Sequence, residues 1–445
     1  MFPYVSRAIF SMITILFTIL TFFACGETQT ELPAEAIVAD VPRGEEPVTI
    51  SILQSQASIS QSLQRAVDLY ADSQSEAPRI SVQTIADPSD YKVTLRARLL
   101  AGEQVDLFHV LGYRDMLELR PYLTDLSDLD WLDQAVEGSL DAVTYEDAVY
   151  GVPYSIQGVG LIANRNIFEV AGIPLAGTQS YADLEEAFSQ LDRQIQSGAL
   201  EDQFPALEAV TELSGLDKTY LGTQFAALTL SGDFLSPAQA AQASSLSLSA
   251  ADGAREYFDL LERYAAGDPA ATARNQQVEN GLAIQRVAVI QDDISVWETA
   301  NKLNPGLGNR LALLPIPLGE EGESGILLEV PAYWAVNQSS TPQAQQLSTG
   351  FLAWLYNSGN GAEAYSALFY QVSPFQAAAP DSVIPLQNQM LGYLESGQVL
   401  YQYSAEYPPG WGSDVFAPGL LGYLVGEKTW QEATEEWSTG WHTLR

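Results

Sequence analysis

Short apolar runs alternate with amphipathic segments along the chain from residue 48 onward. The runs VTISIL (48–53), RISVQTI (79–85) and DLFHVLG (106–112) are rich in β-branched and other apolar residues, which predicts buried strands. Between them, residues 62–73 and 91–103 place apolar side chains at helical spacing. Strands that alternate with helices predict an α/β fold, in which a mostly parallel sheet carries helices on both faces.

The alternation continues toward the C-terminus. Apolar runs at 160–165 and 310–319 predict further strands, and residues 279–302 predict a strand that leads through a loop to a helix. Helical spacing recurs in three longer segments: 181–198, 253–267 and 341–359. No unit of 20–50 residues repeats, which excludes solenoids and propellers.

The N-terminal 47 residues differ from the rest of the chain. Arg7 precedes 17 uncharged, mostly apolar residues that end at Ala24, and Cys25 and Gly26 follow. A basic start, an apolar run and a small residue before a cleavage point predict a signal peptide over residues 1–24. Residues 25–47 contain acids and prolines but few large apolar side chains, which predicts a flexible tether. An uncleaved anchor helix is the alternative, although the run is slightly short of the roughly 20 residues that a membrane span prefers.

Charge narrows the choice of partners. The chain has 56 acidic and 20 basic residues, a formal net charge of -36. Binding to nucleic acid depends on Lys and Arg that neutralise phosphates, so nucleic acid is excluded as a partner. Anionic lipid surfaces are disfavoured for the same reason. The acidic surface favours solubility, or adaptation to a salty medium that screens the repulsion.

The residues suited to catalysis are few. The two histidines are His109, in an apolar run, and His442, near the C-terminus, so no zinc site is predicted. Nucleophile-elbow and phosphate-binding-loop motifs are absent from the sequence. With 56 acids, a pair of carboxylates carries little information, so a glycoside-acting enzyme stays an alternative. We predict no catalytic residue, no metal and no cofactor, and the single cysteine excludes a disulfide within the chain.

Six segments in a particular order resemble the family 1 extracellular solute-binding proteins, the maltose-binding-like receptors of ABC importers. The most characteristic segment is AVYGVPYSIQGVGLIANRNIFEVAGI (148–173), with its Gly-Val-Pro-Tyr strand and its Asn-led helix. The other segments are 103–129, 181–191, 279–297, 332–358 and 422–437. The N-terminus resembles a bacterial lipoprotein signal, which implies that Cys25 is lipidated, although Phe22 and Phe23 depart from that pattern.

The resemblance implies two α/β lobes, each a mostly parallel sheet flanked by helices, joined by hinge strands, with the ligand enclosed between them. It places chain crossings near residues 153–158, 273–279 and 328–333. The implied segments are 48–155 (first part of lobe 1), 156–276 (first part of lobe 2), 277–328 (second part of lobe 1), and 329–445 (second part of lobe 2 and C-terminal helices). It also implies an exported, monomeric protein in the periplasm or at the cell membrane, anchored by lipid, whose partners are ABC transporter permease subunits.

The expected ligand site lies beyond the carboxyl ends of strands, where open α/β sheets bind ligands. Sugars need aromatic rings for stacking and polar side chains for hydrogen bonds, and aromatic and polar residues cluster at several of these ends. The predicted ligand-binding residues are Gln54, Tyr113, Tyr154, Asp292, Trp297, Trp334, Tyr370 and Trp411.

One departure leaves the ligand class open. Where many sugar-binding members of the family have a tryptophan, this chain has Ser295, preceded by the adjacent carboxylates of Asp292 and Asp293. These acids suit a cationic ligand, or they cap the following helix. The function indicated is an extracytoplasmic receptor for a mono- or oligosaccharide that serves an ABC transporter. The alternatives are a receptor for a cationic, polyamine-like solute, a surface scaffold, and a glycoside-acting enzyme.

Overall fold

The alternating strands and helices predicted from the sequence are present in the computed structural model, which describes residues 48–319, 323–369, 371–375 and 384–445. These residues belong to one compact unit. Within these ranges, no helix is both long enough and apolar enough to cross a membrane. Cys25 and the segments 1–24 and 25–47 lie outside the described residues.

The strands, in chain order, are β1 Thr49–Gln54, β2 Arg79–Thr84, β3 Leu107–Val110, β4 Thr144–Tyr145, β5 Ala148–Val149, β6 Val152–Pro153, β7 Gln157–Asn164, β8 Thr211–Glu212, β9 Ala265–Ala266, β10 Val289–Asp293, β11 Leu311–Leu314, β12 Ile316–Pro317, β13 Ser324–Glu329, β14 Tyr333–Val336 and β15 Val399–Tyr401. The helices are α1 Ser60–Ser73, α2 Pro88–Ala101, α3 Tyr113–Leu119, α4 Arg165–Ala171, α5 Tyr181–Gln196, α6 Lys218–Tyr220, α7 Ala226–Thr229, α8 Pro237–Gln242, α9 Ala251–Arg263, α10 Arg274–Gln276, α11 Val296–Leu303, α12 Pro342–Asn357, α13 Gly359–Phe369, α14 Pro385–Ser396, α15 Ala417–Leu424 and α16 Trp430–Leu444.

Local sequence explains where helices such as α2 begin and end. The Asp87 carboxylate accepts hydrogen bonds from the N–H groups of Ser89 and Asp90, at 2.9 and 3.0 Å, and so caps the first turn. Pro88 occupies a position where no N–H is needed. The helix ends at Gly102, which adopts a left-handed φ of +67°.

The first sheet has the strand order β2-β1-β3-β14-β6. Strand β1 runs parallel to β2 and β3, whereas β14 runs antiparallel to β3 and β6. One apolar core joins this sheet to α1, α12 and α13, and a second joins its other face to α2 and α3. This sheet and its helices form the first lobe.

The second sheet is built around β7. Strand β10 runs antiparallel along one side of β7, and β11 and β13 run antiparallel along the other side. Strand β15 joins the edge parallel to β13. Apolar cores cover both faces and form the second lobe. The two-lobed α/β fold is confirmed, with the difference that β7 makes the pairings in the second sheet mainly antiparallel.

The predicted assignment of the later chain to the lobes is wrong. Residues 277–328 do not return to the first lobe, because β10, β11 and β13 pair with β7. Instead, β14 pairs with β3, so the first part of 329–445 lies in the first lobe. An apolar strand that is buried on both faces fits the interior of either sheet, so its sequence does not reveal its partner.

Three chain segments cross between the lobes side by side: 154–156, 330–332 and 371–375. The Tyr154 N–H donates to the Ala332 carbonyl at 2.9 Å, and the Ile156 N–H donates to the Val372 carbonyl at 3.0 Å. Two crossings coincide with those expected near 153–158 and 328–333. The crossing expected near 273–279 is wrong, because those residues form α10 and the start of a π-helical segment within the second lobe.

Candidate functional site

A cavity between the two lobes, which we call the cleft, is the candidate site. Its main walls are Gly112, Ala142 and Tyr333 from the first lobe, and Leu328, Glu329, Tyr401, Gln402, Tyr403 and Glu406 from the second. About 590 Å³ of space between these atoms is unfilled, part of it open to solvent. Three broader surface hollows, of about 1000 to 1290 Å³, are each lined by the second lobe alone.

Tyrosines supply the aromatic surface of the cleft. The rings of Tyr401 and Tyr403 are almost parallel, 7° apart in orientation, with their centroids separated by 6.4 Å. Tyr401 is 40% exposed, and its hydroxyl donates to the Glu137 carbonyl at 3.3 Å. Burial, with the nearby Asp141 carboxylate, raises the pKa of Tyr403 to about 12. These phenols, neutral at pH 7, give the cleft an aromatic lining.

Two polar side chains of the cleft are buried without a partner. The Ser139 hydroxyl oxygen and the Gln402 amide oxygen Oε1 have no hydrogen-bond partner among the described residues, although their residues are only 4% and 8% exposed. The Gln402 amide nitrogen donates to the Ser404 hydroxyl at 3.1 Å, which fixes the orientation of the amide. Buried polar groups are normally hydrogen-bonded, so these two are suited to a polar solute.

Glu329 stands at the end of β13, where the chain leaves the second sheet. It keeps some surface within the cleft, but protein surrounds it on most sides. Burial, with a smaller effect of the Asp293 carboxylate, raises the pKa of Glu329 to about 7. The Ser404 hydroxyl donates to Glu329 Oε1 at 3.4 Å. Near neutral pH this carboxyl is therefore partly protonated and can either accept or donate a hydrogen bond.

Glu406 connects the second lobe to the start of α3 in the first lobe. Its carboxylate accepts hydrogen bonds from the N–H groups of Tyr113 and Arg114, at 2.5 and 3.1 Å. Burial raises the pKa of Glu406, and these N–H donors oppose that effect. Gly112 is required here, because a Cβ at this position would overlap Glu406 Oε1. The contact joins the lobes in addition to the crossing segments.

Two predicted ligand-binding residues, Tyr154 and Trp334, belong to the core beneath the crossings. Tyr154 is 1% exposed and Trp334 is fully buried. The Trp334 indole N–H donates to the Tyr356 hydroxyl at 3.1 Å, and that hydroxyl donates to the Tyr154 carbonyl at 2.8 Å. The Trp334 and Tyr356 side chains therefore hold the crossing segment at Tyr154, and neither Tyr154 nor Trp334 lines the cleft.

Asp292 and Trp297 also lie elsewhere than predicted. Asp292 is fully buried in an ion pair with Arg274, whose guanidinium reaches Asp292 at 2.5 Å and Asp293 at 2.6 Å. Burial and Asp293 raise the pKa of Asp292 to about 6, so the carboxyl is still mainly ionised beside Arg274 at neutral pH. Trp297 is partly buried against an apolar core of the second lobe. One guanidinium of the protein itself thus already pairs with both carboxylates.

The remaining predicted residues are scattered. Trp411 is fully buried, and its indole donates to the Trp437 carbonyl at 2.9 Å. Gln54 is fully buried at the end of β1, where its amide nitrogen donates to the Thr84 hydroxyl. Tyr113 borders the cleft only through its backbone contact with Glu406. Tyr370 lies outside the described residues.

Several residues that line the cleft were not among the predicted ligand-binding residues, although the sequence pattern partly indicated them. Successive strand residues point to opposite faces, so Tyr333 faces the cleft because Trp334 faces the core. Tyr401 and Tyr403, two residues apart at the end of β15, place their rings side by side, and this spacing was a readable sign of an aromatic surface. Across the described part of the chain, no group of three or more His, Cys, Asp or Glu side chains could hold a metal ion.

Comparison with known proteins shows which protein family and which solved structures this chain resembles. Residues 69–388 match the family model for bacterial extracellular solute-binding proteins, over more than half of the chain. The structure of RafE from Streptococcus pneumoniae has 16% identity and a TM-score of 0.69, covering 89% of this chain and 98% of that one. The binding protein MsmE from Bacillus subtilis has 17% identity and a TM-score of 0.68, covering 90% and 98%.

A third structure, the cyclic α-maltosyl-1,6-maltose binding protein of Arthrobacter globiformis, has 17% identity and a TM-score of 0.65, covering 90% and 99%. No curated protein matches this sequence significantly. At identities this low, the solved structures demonstrate a shared fold alone. The family match includes parts of both lobes and the crossings at 154–156 and 330–332. The chain thus belongs to the family of bacterial extracellular solute-binding proteins.

Proposed function

We propose that this protein is the receptor of an ABC importer and that it captures a mono- or oligosaccharide in the cleft for delivery to the permease. The observation that carries the proposal is a cavity lined from both lobes that combines tyrosine rings with the partnerless Ser139 and Gln402. Sugars offer apolar C–H faces and hydroxyl edges, which match such a lining. The fold neighbours support this class, since RafE binds raffinose and a Bacillus licheniformis transporter protein binds stachyose.

The arrangement of lobes supports capture by closure. We propose that residues 48–153 and 333–369 move as lobe 1, and residues 157–329 and 384–445 as lobe 2, about the crossing segments. Hinge closure needs only a few residues that absorb backbone rotation. Because the cleft is narrow, an oligosaccharide enters only after the lobes separate.

Calorimetric titration of the purified protein tests the proposal. We expect at least one sugar to bind from a panel of raffinose, stachyose, maltose, their component monosaccharides, glucosamine and chitobiose. Tyr401→Ala removes an exposed ring of the cleft and should weaken binding by about tenfold, equivalent to roughly 1.4 kcal/mol. Leu100→Ala, which truncates an exposed side chain on α2, is the control and should bind as the wild type does. Absence of binding to every sugar, with folding intact, rejects the carbohydrate proposal.

The cellular setting is part of the same proposal. The family supports export, and we propose that residues 1–24 are removed, that Cys25 carries the lipid and that 25–47 tether a monomer to the membrane. Incorporation of labelled fatty acid that is lost in Cys25→Ser tests lipidation. Retention of residues 1–24 in the mature protein would instead indicate an uncleaved anchor.

The protein is proposed to bind its sugar without changing it. The carboxylate of the cleft residue Glu406 is held by two backbone N–H groups of α3, which suits binding more than proton transfer. Chromatography of the sugar after prolonged incubation should return it intact. Appearance of hydrolysis products would move the assignment to a glycoside-acting enzyme.

A further inference from the structure

We infer that the solute of the cleft is an amino sugar, a carbohydrate that carries at least one protonated amine. This inference rests on the proposed function, because it names the class of sugar taken by the same site. Three glutamates, Glu137, Glu329 and Glu406, line the cleft, and no lysine, arginine or histidine does so among the described residues. The charge of the lining is therefore negative on both sides of the cavity.

Glu329 is the acid that lacks a strong partner. Buried acids elsewhere in the protein are well supplied: Asp292 receives the Arg274 guanidinium at 2.5 Å, and Asp106 receives the Ser51 N–H at 2.8 Å and the Ser340 hydroxyl at 2.6 Å. Glu329 receives only a long hydrogen bond, 3.4 Å, from the Ser404 hydroxyl, and within the described ranges it forms no ion pair. A buried carboxylate favours a cationic partner, so the cleft offers this position to a cation from solution.

The negative potential converges on the aromatic wall. Glu329 and Glu406 line the cleft together with Tyr333, and their carboxylates and that of Asp141 add to the effect of burial in raising the pKa of Tyr333. The rings of Tyr401 and Tyr403 also line the cleft, and aromatic rings attract ammonium groups. A cation in this position is attracted by the carboxylates and by the aromatic rings together.

The partnerless polar groups point to a sugar skeleton on the cation. Gln402 Oε1 can only accept a hydrogen bond, and the Ser139 hydroxyl can donate and accept. Hydroxyl groups supply both kinds of partner, whereas a linear polyamine has only N–H donors and no acceptor for Ser139 once protonated. The polar lining of the cleft thus combines a cation site with a hydroxyl site.

The test compares two sugars with the same skeleton on the purified protein. Chitobiose, the glucosamine disaccharide, is titrated at pH 7, where a substantial share of both its amines and Glu329 is charged, and N,N′-diacetylchitobiose is its neutral match. We expect chitobiose to bind at least tenfold more tightly, and a rise from 50 to 500 mM NaCl to weaken chitobiose far more than the neutral sugar. Glu329→Gln should abolish most of the tenfold preference. Glu395→Gln, which removes one exposed carboxylate on α14, should preserve it.

The outcomes separate the inference from the proposed function. Equal or tighter binding of the diacetylated sugar, or binding confined to neutral sugars such as raffinose, overturns the inference and leaves the carbohydrate receptor standing. Binding of spermidine with no sugar bound overturns both. The comparison of the two disaccharides needs only the wild type, so it remains decisive even if Glu329→Gln does not fold.

Discussion

The contact between Glu406 and α3 predicts that one substitution shifts the balance between closed and open lobes. Glu406 lies in a 3₁₀ turn, Ser404–Glu406, is 1% exposed, and accepts the N–H groups of Tyr113 and Arg114 across the cleft margin. In Glu406→Gln one oxygen is retained, but an NH₂ group replaces the other and faces an N–H donor. The contact loses its charge and one of its two hydrogen bonds.

The magnitude follows from that geometry. A hydrogen bond to a charged group contributes about 1.5–3 kcal/mol, so we expect the closed arrangement to lose about 2–3 kcal/mol. That loss corresponds to a shift of roughly 30- to 150-fold toward the open arrangement. A sugar that binds between closed lobes should then bind more weakly, because part of its binding free energy is used to restore closure.

Small-angle scattering and calorimetry measure the two consequences. Without sugar, Glu406→Gln should have a larger radius of gyration than the wild type, and saturating sugar should restore the compact value. Glu395→Gln removes the same charge from the exposed face of α14 and should change neither quantity. The reasoning is refuted if Glu406→Gln folds, keeps the radius of the wild type and binds sugar equally well.

Three other predictions concern charge and pH. Burial lowers the pKa of His109 to about 3 from 6.5, so below pH 6.5 the unfolded chain binds a proton that the folded chain does not, and the free energy of unfolding should fall by about 1.4 kcal/mol per pH unit. Between pH 8 and pH 5, urea unfolding should show a loss of unfolding free energy about 2 kcal/mol larger for the wild type than for His109→Gln. Equal losses would contradict this. Arg274→Met leaves Asp292 buried without its partner and should cost about 2–3 kcal/mol of unfolding free energy, less than the roughly 3–5 kcal/mol for a fully buried pair because Arg274 is 35% exposed. Adding Asp292→Asn should recover part of the loss in the same assay. Burial raises the pKa of Glu329 to about 7 from 4.5, so the folded chain holds a proton that the unfolded chain releases, and the free energy of unfolding should decline as the pH rises from 4.5 through 7. Glu329→Gln should remove that decline in the same urea assay.

The fold was predictable because its signals are local. The apolar run at 48–53 and the helical spacing at 62–73 correspond to β1 and α1, since burial of one face and backbone geometry fix such elements within a few residues. The partner of β10 was not predictable in the same way. Val289 and Ile290 are completely buried, and such a strand fits the interior of either sheet equally well.

The candidate site was less predictable because it depends on which face of an element is turned to the cleft. Tyr154, Trp334 and Trp411 are the type of residue that binds sugars, but the same large rings fill the cores of this protein. Asp292 does not line the cleft and instead forms an ion pair with Arg274, which lies 18 residues earlier in the chain. A pairing of that kind is set by tertiary structure, and neither residue marks it in the sequence.

Strand β14 links the cleft to the crossing segments. Tyr333 faces the cleft, while its neighbour Trp334 contacts the His109 ring at a centroid distance of 4.0 Å and holds Tyr356 against the Tyr154 carbonyl. Because Tyr333 and Trp334 are adjacent on β14, a solute that moves Tyr333 also shifts Trp334 against the residues that it contacts at the crossing. Solute binding and lobe rotation therefore act on the same strand, and a change at Trp334 should alter affinity without any contact between Trp334 and the sugar.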